Sequence, residues 1–152
     1  MVRIGGAYSL EKLADDWPAE RQTYINTLCG YLRFPYDSSV GADGEREVRQ
    51  TIIGIICQRL SWTAEISWDG KLFDLTGAVL DHLDLSEIYL KESTLCLRGC
   101  VIRAATFRIK EFRVIGGEID ARDLRIMEGA IMDAQGSYLS DSGKISLAGS
   151  II

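Results

Sequence analysis

Hydrophobic residues recur at steps of three and four along the first sixty positions of the chain. In residues 2–16 the apolar positions share one face of a helix, and two aspartates end the pattern. Pro18 marks a boundary, because proline suits the first turn of a helix and restricts the residue before it. Similar stripes predict a second helix over residues 18–33 and a third over residues 45–60.

The first and third predicted helices resemble each other. Both begin with Val-Arg, at Val2 and Val48, and both place an apolar residue eight positions later, at Leu10 and Ile56. The offset of 46 residues lies in the range of HEAT and armadillo helix pairs. We therefore expect a HEAT/armadillo-like module of three helices. Because such modules need about three repeats for stability, we expect the following part of the chain to stabilise it.

Residues 62–72 alternate loosely between polar and apolar positions and contain the turn pair Asp69-Gly70. They predict a short extended connector. Trp62 and Trp68 are expected to cover one end of the module that follows. The alternative is that the two indoles form a ligand-binding pair.

From Phe73 onwards the hydrophobic period becomes five, which neither a helix nor a simple strand explains. Leucine occupies the centre of five consecutive five-residue units. These central residues are Leu75, Leu80, Leu85, Leu90 and Leu95. The residues two positions before them are Phe73, Ala78, Leu83, Ile88 and Ser93.

This pattern resembles the pentapeptide-repeat family, whose consensus is A(D/N)Lxx. The resemblance implies a right-handed four-sided β-helix of about four coils, with one repeat on each side. It also implies that the central residue and the residue two positions before it point inward. Polar second positions such as Asp74 and Asp84 are then expected at the corners.

The five-residue spacing loosens after Leu95, and the apolar residues that continue it are the predicted structural core of the later repeats. They are Ile102, Phe107, Phe112, Ile119, Leu124, Ile131, Leu139 and Leu147. Steps of seven and eight residues between them indicate insertions at corners. This register places Lys110 and Arg122 at inward positions, which a dry core rejects. The register therefore stays open over residues 96–122 and after residue 131.

Two motifs in the helical part extend the resemblance to a group of actinobacterial pentapeptide-repeat proteins. The pattern R-x-G-G-x-Y-x-L-E-x-L-A matches residues 3–14, and E-R-E-V-R-Q matches residues 45–50. Members of that group often carry transmembrane helices upstream of these motifs. The chain is then either a soluble relative or a shortened version of such a protein.

Together these patterns predict an α+β chain with three parts. Residues 1–61 form the helical HEAT-like module, and residues 62–72 form a connector that caps the next part. Residues 73–152 form the pentapeptide-repeat-like right-handed β-helix.

Charge and hydropathy narrow the class of protein. The chain has 152 residues, 47 % of them hydrophobic, and a net charge of −5. No apolar run approaches the ~20 residues that span a bilayer, so we expect no membrane insertion by this chain. An acidic chain also disfavours direct nucleic-acid binding. Without a secretory signal, we expect a cytoplasmic protein with four reduced cysteines.

The sequence contains no recognisable catalytic motif: GxSxG, HExxH, the P-loop and GxGxxG are all missing. The lone imidazole, His82, is expected outside on a corner. It could pair with Cys100 one coil away, but Cys100 stands at an inward position. Cys96 and Cys100 also lack CxxC spacing. We expect no enzymatic activity, no cofactor and no metal site.

Arginines recur every five residues at Arg98, Arg103, Arg108 and Arg113. On a four-sided coil, residues five apart lie on different sides, so these arginines are expected to wind around it. Residues stack only after a full turn of about 20 to 22 positions. We therefore expect Arg103 and Arg125 to share a face.

The leading functional prediction is a non-catalytic protein–protein interaction or scaffold module, because solenoids bind through extended surfaces. An apolar chain end at Leu147, Ile151 and Ile152 predicts a homodimer through the C-terminal coil, or an unknown protein partner there.

Two other functions remain open. One is a DNA mimic that binds a topoisomerase such as DNA gyrase, as some pentapeptide-repeat proteins do. Residues 71–152, however, hold 12 acidic against 10 basic residues. Matching ~20 Å of duplex would need about a dozen uncompensated acids. The other is a small-ligand binder or enzyme with a pocket near Trp62 and Trp68.

Overall fold

The computed structural model describes residues 2–37, 43–103, 106–108, 110–127, 131–133, 138–139 and 142–150. Within these residues the chain forms three helices, α1 (Val2–Asp16), α2 (Arg21–Arg33) and α3 (Asp43–Leu60), followed by thirteen short strands. The strands are β1 (Leu72–Asp74), β2 (Val79–Leu80), β3 (Leu83–Asp84), β4 (Tyr89–Lys91), β5 (Thr94–Cys96), β6 (Val101–Ile102), β7 (Thr106–Arg108), β8 (Arg113–Ile115), β9 (Glu118–Asp120), β10 (Arg125–Ile126), β11 (Ile131–Asp133), β12 (Tyr138–Leu139) and β13 (Lys144–Ser146).

The three predicted helices are present, with one boundary that differs clearly. α2 begins at Arg21 rather than at Pro18, because residues 18–20 form a turn. In that turn the backbone N–H of Glu20 donates to the carbonyl of Trp17 at 3.0 Å. The side chain of Glu20 makes no capping hydrogen bond to the helix. The first helical residue, Arg21, directly follows the turn.

The strands form parallel sheets in which each strand pairs with the strand four places along the chain. The sheet orders are β1-β5-β9-β13, β2-β6-β10, β3-β7-β11 and β4-β8-β12. We call β1–β4 the first layer, β5–β8 the second, β9–β12 the third and β13 the start of the fourth. In successive layers Phe73 faces Leu95, Leu95 faces Ile119 and Ile119 faces Ile145. The sequence separation between facing residues increases at each step, so each layer is longer than the one before it.

This register corrects the predicted alignment of the later repeats. Val114, and not Phe112, lies opposite Leu90. The shift arises because every layer is longer than four units of five, so extra residues accumulate in the segments between strands. Lys110 and Arg122 accordingly lie exposed rather than inward.

Most of the predicted repeat core is buried. The buried members are Leu75, Leu80, Leu85, Leu90, Leu95, Ile102, Phe112, Ile119 and Leu124. Phe107, Ile131 and Leu139 belong to strands β7, β11 and β12, and their side chains lie outside the described residues.

Helix α3 covers the first layer of strands. Ile56 and Leu60 on the helix, and Leu75 and Leu85 directly after β1 and β3, bound a cavity of about 10 Å³. So small a space is at the lower limit for a water molecule. The helices and strands therefore share one continuous core.

Polar contacts also join α2 to the first strand. The amide of Gln22 donates to the carbonyl of Leu72 at 2.7 Å and accepts from its N–H at 3.0 Å. Arg33 Nη1 lies 2.5 Å from Asp74 Oδ2. No described strand pairs with β1 on this side, and these bonds occupy polar groups along that edge. Helix α2 therefore protects the sheet edge.

Several corner residues adopt left-handed backbone conformation, including four that are not glycine. Glu87 has φ 61° and Glu111 has φ 53°, and the two stack because Glu87 N–H donates to the carbonyl of Lys110. This conformation costs a residue with a side chain about 1–2 kcal/mol.

Glu87→Gly is therefore expected to raise the free energy of unfolding by up to about 1 kcal/mol, after the larger unfolded-state entropy of glycine is subtracted. The urea unfolding midpoint measures this change. Glu65→Gly, at an exposed connector position without positive φ, is the control and should lower the midpoint. Equal losses in the two variants would contradict the argument.

Candidate functional site

One inward stack of side chains is covered at its beginning and open at its end. Phe73, Leu95 and Ile119 are 0, 1 and 5 % exposed, whereas Ile145 in the same stack is 41 % exposed. Phe73 is covered by the ring of Trp68, with ring centroids 6.4 Å apart. Among the described strands none pairs with β13 beyond Ile145. An apolar surface is therefore left uncovered there.

Leu147 lies in the neighbouring inward stack, opposite Ala121, and it is 48 % exposed. Its prediction as a core residue is wrong within this chain, because no described strand stacks on its layer. We call Ile145 and Leu147 the open end. Ile151 and Ile152, predicted to associate there, lie outside the described residues.

The outer face of the β1-β5-β9-β13 sheet carries a shallow groove of about 390 Å³. The register arranges its polar floor in columns of residues that stack from layer to layer. The columns are Leu72, Thr94 and Glu118, then Asp74, Cys96 and Asp120, then Thr76, Arg98 and Arg122 at the corner.

Asp120 is buried on the floor of this groove and holds two guanidinium groups. Arg98 donates from Nε and Nη2 to its Oδ2, at 3.1 and 2.5 Å. Arg122 donates from Nε to Oδ1 at 2.8 Å and from Nη2 to Oδ2 at 2.7 Å. Hydrogen bonds from Arg122 and then Arg98 hold the pKa of Asp120 well below its usual range. Both arginines stay about half exposed.

The remaining charges of the groove are paired. Asp74 accepts from Thr76 Oγ1 at 2.6 Å and binds Arg33. Burial raises the pKa of Asp74, but these partners outweigh it and leave the pKa below its ordinary value. Lys144 Nζ lies 3.1 Å from Glu118 Oε1.

Arg103 and Arg125, predicted to share a face, both lie exposed on or beside the β2-β6-β10 sheet, but they do not stack directly on each other. Arg125 lies opposite Val101, and Arg103 comes one position after Ile102, which faces Ile126. The arginines that do stack are Arg98 and Arg122, because the second layer is longer than the predicted turn. The sequence could have predicted this stacked pair only if the length of the second layer had been known.

The predicted candidates for chemistry are not brought together. His82 is exposed, whereas Cys100 is buried and its Sγ donates to the carbonyl of Leu75 at 2.8 Å. Burial raises the pKa of the Cys100 thiol to about 12, so little thiolate forms near neutral pH. Among the described residues no group of three His, Cys, Asp or Glu side chains could hold a metal ion.

The two tryptophans have different environments. Trp68 is fully buried, and its Nε1–H donates to Asp15 at 2.8 Å. Trp62 is largely exposed. Trp68 covers the beginning of the strand module as predicted, whereas Trp62 does not share its buried position.

The helical motifs meet in a polar network that sequence reasoning missed. Glu45 accepts from Arg3 at 2.5 Å, from the hydroxyl of Tyr31 at 2.8 Å and from Arg49 at 2.9 Å. Arg3 and Tyr31 also border a mainly apolar groove of about 420 Å³ between the three helices. The paired charges of both motifs thus hold α1, α2 and α3 together at its rim.

None of the described helices is long and apolar enough to cross a bilayer. The geometry thus offers an uncovered apolar end, a groove with two anchored arginines and a groove among the helices. Comparison with protein-family models, curated proteins and solved structures found no match to the chain.

Proposed function

We propose that the protein is a non-catalytic interaction module that associates through its open end, and that a second copy of the chain occupies this end. The observation that carries the proposal is the rise in exposure along one inward stack, from 0 % at Phe73 to 41 % at Ile145. Side chains in inward positions that remain exposed form an apolar surface rimmed by strand edges, which favours association.

The proposal includes the architecture behind this surface: a HEAT-like helical module followed by a right-handed four-sided β-helix of the pentapeptide-repeat type. Its support is the pairing of each strand with the fourth strand along, in separate parallel sheets. In such a solenoid the last coil presents inward side chains and strand edges of the same kind as the coils before it. It can therefore be covered by another coil of matching shape.

A second copy fits the open end better than an unrelated stacking partner. Helix α3 covers the first layer, so the open end of one copy cannot stack on the beginning of the next. Head-to-tail filaments are thereby disfavoured, and two open ends related by a two-fold axis remain. Each would cover Ile145 and Leu147 of the other and pair the free edge of β13.

The size of the surface sets the expected affinity. At the usual rise per residue of extended chain, one layer has a perimeter of about 80 Å and encloses roughly 400 Å². This is about half of the ~800 Å² per partner in a standard interface. We therefore expect a weak dimer with a dissociation constant in the micromolar range.

Sedimentation velocity over about 5 to 500 μM tests the proposal, because this range brackets a micromolar dissociation constant. The wild-type mass should rise from 16.9 kDa towards twice that value. Leu147→Glu places a charge in the dimer interface and should keep the chain monomeric at every concentration.

Leu13→Glu is the matched control, because Leu13 has similar exposure but lies on α1. Leucine and glutamate also have similar helix propensity. This variant should dimerise like the wild type, and circular dichroism should show that all three chains are folded. A wild type that stays monomeric throughout the range, or a Leu147→Glu variant that still dimerises, refutes the proposal.

A further inference from the structure

The groove over the β1-β5-β9-β13 sheet contains hydrogen-bond donors for which the described residues offer no acceptor. Each guanidinium carries five N–H groups, and Arg98 and Arg122 each donate two of them to Asp120. Both use the edge formed by Nε and Nη2. The opposite edge, formed by Nη1 and Nη2, has no described acceptor in either arginine, and both side chains are half exposed.

The positions of these donors are fixed. The buried carboxylate of Asp120 binds both guanidiniums at once, so neither side chain is free to turn away. The two arginines come from adjacent layers, which places their Cα atoms about 4.8 Å apart. Donors held in place by a second group lose little entropy on binding a ligand.

The local charge favours an anion. Two arginines against one aspartate leave a single positive charge, because Asp74 is neutralised by Arg33 and Glu118 by Lys144. The negative charge of Asp123, the residue after Arg122, offsets part of this positive charge. The net charge of −5 for the whole chain acts over longer distances, which salt screens beyond about 8 Å.

We propose that Arg98 and Arg122 form a binding site for a phosphate group in this groove. The free edges of these two guanidinium groups, which bind the same carboxylate, offer four donors in one groove. A phosphate brings three acceptor oxygens and can bind both edges, whereas a carboxylate has two oxygens and satisfies one edge. The ligand is therefore a phosphate or a phosphate monoester rather than a carboxylic acid.

Titration of the full chain with inorganic phosphate, followed by the arginine Nε–H signals in NMR, tests the site. We expect saturable shifts of Arg98 and Arg122 with a dissociation constant of about 1 mM or below at physiological ionic strength, at which salt screens the net charge of the chain. Acetate at the same concentrations should not saturate these signals. Phosphoserine and adenosine monophosphate, compared with inorganic phosphate, distinguish a peptide source of the phosphate from a nucleotide source.

Variants make the assignment specific to these residues. Arg98→Gln and Arg122→Gln should each weaken phosphate binding about tenfold, while one arginine remains to neutralise Asp120. Arg125→Gln, an exposed arginine on a different sheet, should leave the affinity unchanged. Asp123→Asn keeps a residue type tolerated at its φ of 57° and should tighten binding. Failure to saturate by about 20 mM phosphate, equal binding of acetate, or an equal loss in Arg125→Gln refutes the site.

Discussion

Trp68→Ala is expected to lower the free energy of unfolding by about 4 kcal/mol. The indole is fully buried, stacks on Phe73 with an interplanar angle of 10° and donates to Asp15. Alanine would leave a cavity between the helices and the first layer, and Asp15 would lose one donor. In a chain of this length the loss corresponds to a fall in melting temperature of roughly 8 to 16 °C.

Urea unfolding of Trp68→Ala, followed by circular dichroism, measures this loss, and Trp68→Phe separates its two causes. Phenylalanine keeps a ring against Phe73 but removes the hydrogen bond, and Asp15 retains its contact with Arg59 at 2.6 Å. We expect Trp68→Phe to cost about 1–2 kcal/mol, well below the cost of alanine. A loss below about 1 kcal/mol for alanine would mean that the indole does not join the two parts of the core.

Arg49→Leu is expected to lower the free energy of unfolding by about 3 kcal/mol. The guanidinium is buried and donates to the carbonyls of Leu32 at 2.9 Å and Phe34 at 2.8 Å. It also binds Glu45 and lies 4.4 Å from the ring centre of Tyr36. Leucine would leave the carbonyls at the C-terminal end of α2 without these donors, and an unpaired buried acceptor costs about 1–3 kcal/mol.

Arg49→Lys is the informative companion variant, because it keeps the charge and removes the planar fork. An ammonium group cannot reach two carbonyls and a carboxylate in the same geometry, so we expect about half of the loss to remain. The unfolding midpoint of both variants gives the comparison. If Arg49→Lys were as stable as the wild type, charge alone would explain the role of this residue.

The five-residue period predicted the buried residues better than it predicted their alignment. Each predicted five-residue unit supplies two inward positions, two residues apart. A register error of two therefore exchanges one inward position for the other, as happened at Leu95, which faces Phe73, and at Phe112, which faces Ile88. Both residues are buried all the same. The pattern of inward positions was thus robust, although the predicted length of each layer was not.

The polar sites could not be predicted in the same way. Arg98 and Arg122 meet because the length of the second layer matches their separation in the sequence, and that length depends on corner insertions that no five-residue pattern reveals. Arg49 was part of a matched motif, but its burial depends on where α2 ends. Leu147 has the pattern of a core residue, and only the position of its layer in the stack determines its exposure.

The cover that α3 places on the first layer gives the chain a direction of assembly. The three helices precede the strands in the sequence and so leave the ribosome first. Once they have packed, Ile56 and Leu60 offer an apolar template for the first layer, and every later strand finds its partner only four strands behind it. The parallel sheets can therefore be completed layer by layer during synthesis, without waiting for a distant part of the chain.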